Sequence, residues 1–160
     1  MGEITTGKAE QTTIHLRRRI PMEQLTQFQG EALELLWRGV EQSPGRQVGH
    51  VYVRYWDVSD AEADVEIGVP VEGVAPTEPL AEGSLPGGSH ATHRHLGEHA
   101  TLKDAYRTLN ETAANRAVAG PAWEVYEWIP LHTAPDPASW PAADAWSTLL
   151  VQPLEPTTGE

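Results

Sequence analysis

Twice along this chain the same order of elements recurs: an alternating strand, a helix with one apolar stripe, then two further strands. In the first pass Thr12 to Ile20 alternates, with Ile14 and Leu16 opposite His15 and Arg17. Pro21 suits a first helical position, where its missing N–H would be unpaired anyway. Leu25, Phe28, Ala32, Leu36 and Val40 then recur at helical spacing until Ser43-Pro44-Gly45 stops them. Gly49 to Val58 reads as a second strand, and Ala63, Val65, Ile67, Val69 and Val71 mark a third with one dry face. In the second pass His90 to His95 is strand-like, and Thr101 with Asp104 approximates a capping box. Leu102, Ala105, Tyr106, Leu109 and Ala113 form the stripe of the second helix. Trp123 to Leu131 and Ala145 to Gln152 supply the last two strands.

The repetition restricts the fold. Three strands and one helix bury too little apolar surface to stand alone, so the two halves must share a core. The expected class is α+β, with tandem β-α-β-β modules, antiparallel sheets and a ligand cleft between the halves. Residues 1–11 are polar and aperiodic and are expected to be disordered. The first half then covers 12–71 and the second 90–154. Between them 72–89, rich in Pro, Gly, Glu and Ser, reads as a linker, and 155–160 as a tail.

Charge and composition exclude several classes. A formal net charge of −12 repels phosphate backbones, so nucleic acid is not an expected partner. Arg17-Arg18-Arg19 lies in the alternating first strand, where solvated arginines on a sheet edge are the simplest reading. There is no cysteine, which removes disulfide and thiolate chemistry. No apolar run approaches a membrane span and no signal-peptide core is present, so no membrane association and a cytoplasmic location are expected. No Gly-rich phosphate loop or nucleophile motif appears, and no cofactor is expected. His90, His93, His95 and His99 invite a metal, since His93-x-His95 on a strand shares one face. No downstream carboxylate completes a strong motif, so no metal is expected.

Several segments in fixed order resemble the GyrI-like, or bacterial effector-binding, domain family. They are His95-Leu96-Gly97-Glu98-His99, a helix carrying Ala105-Tyr106 and Leu109, Glu124-Val125-Tyr126-Glu127 with Ile129-Pro130-Leu131, and the closing Ser147 to Leu154. In the first half Tyr55-Trp56-Asp57 and Asp64 to Val71 are similar to the corresponding family strands. The resemblance covers most of residues 12–154. It implies a tandem pair of SHS2-type modules that binds bulky hydrophobic, often cationic compounds, and a stand-alone member with no helix-turn-helix module. A monomer is compatible with this reading.

The candidate pocket follows from strand parity and from the resemblance together. Six tryptophans against one phenylalanine suit an aromatic wall. Period-two alternation puts Glu127 on one face with Trp123, Val125 and Ile129, and the family's Tyr-Glu pattern implies that it anchors a cation. Glu124 with Tyr126, on the opposite face, matches a second family pattern, Glu-x-Tyr. Both stay open, with Glu127 favoured. Trp146 matches a family aromatic on the last strand, and Tyr55 aligns with Glu127 when the halves are superposed by pattern. His99 stands where the family usually has tyrosine, which alters the pocket's hydrogen bonding and pH behaviour.

Three functions compete at this level. Binding and sequestration of multiple drugs needs only an aromatic cleft and one carboxylate. The alternative implied by the resemblance is a hydrolase that opens the cyclopropane ring of DNA-alkylating natural products, with Glu127 or Glu124 orienting a water and His99 as a second acid–base group. The third is an acidic protein-interaction or inhibitor module.

Overall fold

A computed structural model describes residues 2–131 and 134–157. Among these residues nine strands and two α-helices follow in chain order. They are β1 (Glu3–Lys8), β2 (Gln11–Pro21), α1 (Leu25–Glu41), β3 (Arg46–Gln47), β4 (Tyr52–Val58), β5 (Glu62–Glu72) and β6 (Ala81–Leu85), then β7 (Gly88–Leu96), α2 (Leu102–Thr112), β8 (Trp123–Tyr126) and β9 (Ser147–Leu154). All named pairings are antiparallel, in the order β1-β7-β9-β8-β4-β5-β2-β6, with β3 on β5. The two repeats read outward from the middle with the same internal order. β4-β5-β2 mirrors β8-β9-β7, and the halves join where β4 pairs β8.

Two short links make the sheet curl. Only residues 9–10 separate β1, at one end of the strand order, from β2 near the other, and only 86–87 separate β6 from β7. Both ends must therefore lie close together, which bends the sheet into a half-barrel.

Alternation sorts the side chains onto two faces. The helices cover one. Phe28, Ala32, Leu33 and Leu36 of α1 pack with Ile14, Leu16, Val51, Val53, Val65, Ile67 and Val69. Leu102, Ala105 and Leu109 of α2 pack with Ala91, Leu150 and Leu154. On the other face Tyr52, Leu85, Trp123 and Val151 form a small core inside the curl.

Four sequence expectations need correction. Residues 3–8, read as disordered, form β1, because the open edge of β7 supplies backbone partners that a polar sequence accepts without burying side chains. Residues 72–89 are not a plain linker: β6 pairs Gln11 to His15 of β2, and β7 begins already at Gly88. The strand expected to run from Trp123 to Leu131 stops at Tyr126, where the chain turns and Ile129 N–H bonds the Tyr126 carbonyl. The last strand runs from Ser147 rather than Ala145 and continues to Leu154. Of the expected tail, 155–157 carry no regular element, and 158–160 lie outside the described residues.

Candidate functional site

The strand β8 decides which candidates meet. Trp123 and Val125, with Glu127 just beyond the strand, line a groove of about 470 Å³ on the face away from the helices. Tyr126 and Glu124 point to the helix-bearing face. Ile129, expected beside Glu127, leaves its companions after the turn and is buried in the core under α1, 4% exposed. The period-two reading failed there because the period itself ended at Tyr126.

Glu127 is engaged on its own side of the sheet. Arg94 Nε and Nη2 donate to its two carboxylate oxygens at 2.8 and 2.9 Å, and Ser147 Oγ donates at 2.7 Å. The bidentate guanidinium beside it holds this carboxyl below its ordinary range, so it stays ionised and neutralised. Tyr55, expected across a cleft from Glu127, instead faces the helices, because its parity on β4 is that of Val51 and Val53.

Glu124 has the opposite environment. It is 5% exposed, and its oxygens accept from Tyr106 Oη at 2.5 Å and Tyr126 Oη at 2.8 Å. Burial pushes its proton affinity up, against the two phenols that favour the charged form. The same burial, together with the nearby carboxylate, raises Tyr55, Tyr106 and Tyr126 far above the ordinary phenol range. An open cavity of about 510 Å³ lined by Tyr55, Tyr106, Leu25 and Met22 reaches this carboxyl.

Tyr126 links that carboxyl to a second cavity, of about 330 Å³, between the halves. Residues of α1 (Thr26, Gln29, Leu33) line one side of it, and His99, Trp128, Trp140 and Trp146 the other. Trp128 and Trp146 stack nearly parallel at 4.0 Å and 4°, and Tyr126 stacks on Trp128 at 5.5 Å. Trp140 meets Trp128 edge-on at 5.2 Å. Among the described residues no Asp, Glu, Lys or Arg lines this cavity. The indole N–H groups of Trp128 and Trp140 are buried without a hydrogen-bond acceptor among the described residues. His99 completes the cluster, and burial pushes its imidazole below the ordinary range.

The sequence reading missed Trp128, Trp140 and Tyr106 as members of the site. The signal for the first two was the tryptophan count, but Trp140 sits in a Pro/Ala/Asp loop where no period assigns a face. Tyr106 was assigned to the helix stripe, and so it is, yet its hydroxyl reaches the sheet. Among the described residues no group of three or more His, Asp or Glu side chains could hold a metal ion, and no helix is long and apolar enough to cross a membrane.

Comparison with known proteins agrees with this architecture. No curated protein matches the sequence. Among solved structures the chain is similar to the C-terminal domain of EcmrR, with 15% identity, 98% of each chain covered and a TM-score of 0.76. It is similar to a hydrolase from Listeria innocua at 13% identity, covering 96% of this chain and 91% of that one, with a TM-score of 0.64. It is also similar to SAV2435 bound to tetraphenylphosphonium, at 10% identity, 97% and 94% coverage and a TM-score of 0.62. At such identities these likenesses concern the fold. The family model of the GyrI-like small molecule binding domain matches residues 7–139, most of the chain. The chain therefore belongs to the GyrI-like small molecule binding domain family.

Proposed function

We propose that this protein binds bulky hydrophobic molecules, often cationic ones, between its two halves, with Glu124 as the carboxylate that meets positive charge. The observation that carries this reading is the adjacency of an aromatic cavity to a buried carboxyl through Tyr126. Stacking and cation–π contacts contribute roughly 0.5–2 kcal/mol each at such walls. A carboxyl that burial has made reluctant to ionise recovers its charge when a cation replaces lost solvent, which couples binding to charge. Glu127 is the weaker candidate, since Arg94 already satisfies it in the groove on the other face. The tetraphenylphosphonium complex of a similarly folded protein supports the ligand class. Multidrug sequestration is the role we assign on this basis.

The test is tryptophan quenching during titration with a planar cationic dye such as rhodamine 6G, for wild type, Glu124→Gln and Glu127→Gln. Saturable quenching is expected in wild type and Glu127→Gln, and affinity about tenfold or more weaker in Glu124→Gln. A loss confined to Glu127→Gln would move the anchor to the groove. No saturation in wild type would end the binding reading.

One observation favours a second reading, hydrolysis of a strained cyclopropane. Glu124, held by two phenols beside an open cavity, has the raised proton affinity of a general acid–base group. A similarly folded Listeria innocua protein is described as a hydrolase. Turnover of a cyclopropane-bearing alkylator that vanishes in Glu124→Gln would establish it, and binding without turnover would rule it out.

A further inference from the structure

The imidazole of His99 lines the aromatic cavity among the rings that a ligand there would meet. Its ring centroid lies 5.0 Å from Tyr126, 5.2 Å from Trp146 and 5.9 Å from Trp128. Its Nε2 stands 3.3 Å from Thr148 Oγ1, a neutral hydroxyl that serves either tautomer. Three rings that a flat guest would meet thus already contact, tilted or edge-on, a side chain able to change its charge.

The groups around it leave that charge uncompensated. β7 contributes His95, whose own ring is engaged with Thr101 and the Glu98 carbonyl and which opposes protonation of His99. β9 contributes Thr148, and β8 contributes Tyr126, whose hydroxyl donates to Glu124. α1 presents uncharged side chains to the cavity, Thr26, Gln29 and Leu33, and the segment before β9 presents Trp140 and Trp146. Among the described residues lining the cavity His99 is the one imidazole, and no carboxylate is among them.

We propose that His99 determines the specificity of this cavity: as a neutral imidazole it admits a flat cation beside Trp128 and Trp146, and as an imidazolium it excludes the cation while still admitting an uncharged molecule of the same shape. The proposal rests on the binding reading above. Burial holds His99 below the ordinary value of 6.5, so the admitting form prevails at neutral pH. Two unit charges about 5 Å apart in a partly dry site repel enough to weaken binding by more than about a hundredfold. Affinity for a cation should therefore fall as pH drops through the folded pKa of His99, about tenfold per pH unit beneath it. Affinity for a neutral isostere should not follow.

The experiment pairs 10-methylacridinium with uncharged 9-methylanthracene in equilibrium dialysis from pH 7.5 to 4.5. It uses wild type, Glu124→Gln, and Glu124→Gln combined with His99→Gln or His99→Phe. Glu124→Gln removes the other group whose protonation would weaken cation binding. The expected result is an acid-side loss of cation affinity of at least tenfold that persists in Glu124→Gln and disappears in both double variants. Binding of 9-methylanthracene should stay within about twofold throughout. NMR titration of the His99 ring should show its pKa lowered by 10-methylacridinium and unmoved by 9-methylanthracene. An acid-side loss that survives in the double variants, or that 9-methylanthracene shares, overturns the role of His99 and leaves small-molecule binding standing. Failure of both probes to bind at pH 7.5 overturns the binding reading itself, and with it this one.

Discussion

Tyr106 on α2 donates to Glu124 on β8 across 2.5 Å, so the second helix is tied to the middle of the sheet through a buried carboxyl. The surrounding burial gives that carboxyl a proton affinity above its ordinary value of 4.5, the phenols notwithstanding. The folded protein then holds a proton that the unfolded chain releases, and stability must fall as pH rises from about 4.5 through the folded pKa. Glu124→Gln should remove that slope. In urea unfolding between pH 5 and 8, the Gln variant is expected to gain on wild type as pH rises, by about 1 kcal/mol or more. A Gln variant that loses ground instead would mean that the phenols outweigh burial.

Trp146 lies flat on Trp128 at 4.0 Å, which removes one face of each indole from water. Trp146→Ala should weaken dye binding by about tenfold and cost roughly 1–2 kcal/mol of stability. Quenching titrations and thermal melts of the same samples check both. Lowered stability with unchanged dye affinity would reduce the stack to packing.

Tyr52 is fully buried on the other face, where its hydroxyl bonds both Glu66 and Thr13. Glu66 is itself only 4% exposed and has Trp56 Nε1 at 2.9 Å as its other partner. Tyr52→Phe therefore strands part of a buried carboxylate and should destabilise by about 1–3 kcal/mol. The double variant Tyr52→Phe, Glu66→Gln should recover part of the loss. Equal stability of Tyr52→Phe and wild type in urea would show that water reaches Glu66.

Gly87 allows the two ends of the sheet to meet. A Cβ there would lie 2.3 Å from the Lys8 carbonyl oxygen and 2.6 Å from the Glu10 nitrogen, both backbone atoms that cannot swing aside. Gly87→Ala should loosen β1 from β7. Hydrogen exchange is expected to rise in residues 3–8 and to stay slow in β4 and β5. Unchanged exchange in β1 would show that the link between β1 and β2 moves without cost.

The sequence by itself determined the order of six of the strands and of the two helices, the helix stripes and the α+β class, because periods of 3.6 and 2 are written locally by what must be buried. Leu36 and Leu109, at the centres of their stripes, are both fully buried as the spacing required. The opposite parity of Glu124 and Glu127 was also legible, since neighbours three apart on an alternating strand face opposite ways. Which of the two lies on the helix-covered face was not, because parity does not say which face a helix covers.

Tertiary structure alone decided the rest. β1 and β6 bury few side chains, and their pairing comes from backbone partners on β7 and β2 that no local pattern announces. Arg94, distant in sequence, satisfied Glu127, while Tyr106, from a helix, reached Glu124. The aromatic cluster joins His99, Tyr126, Trp128, Trp140 and Trp146 from a turn, a strand end and a loop. Those rings all belong to the second half and come together only when its distant segments fold onto one another, for such contacts are set by tertiary packing rather than by spacing along the chain.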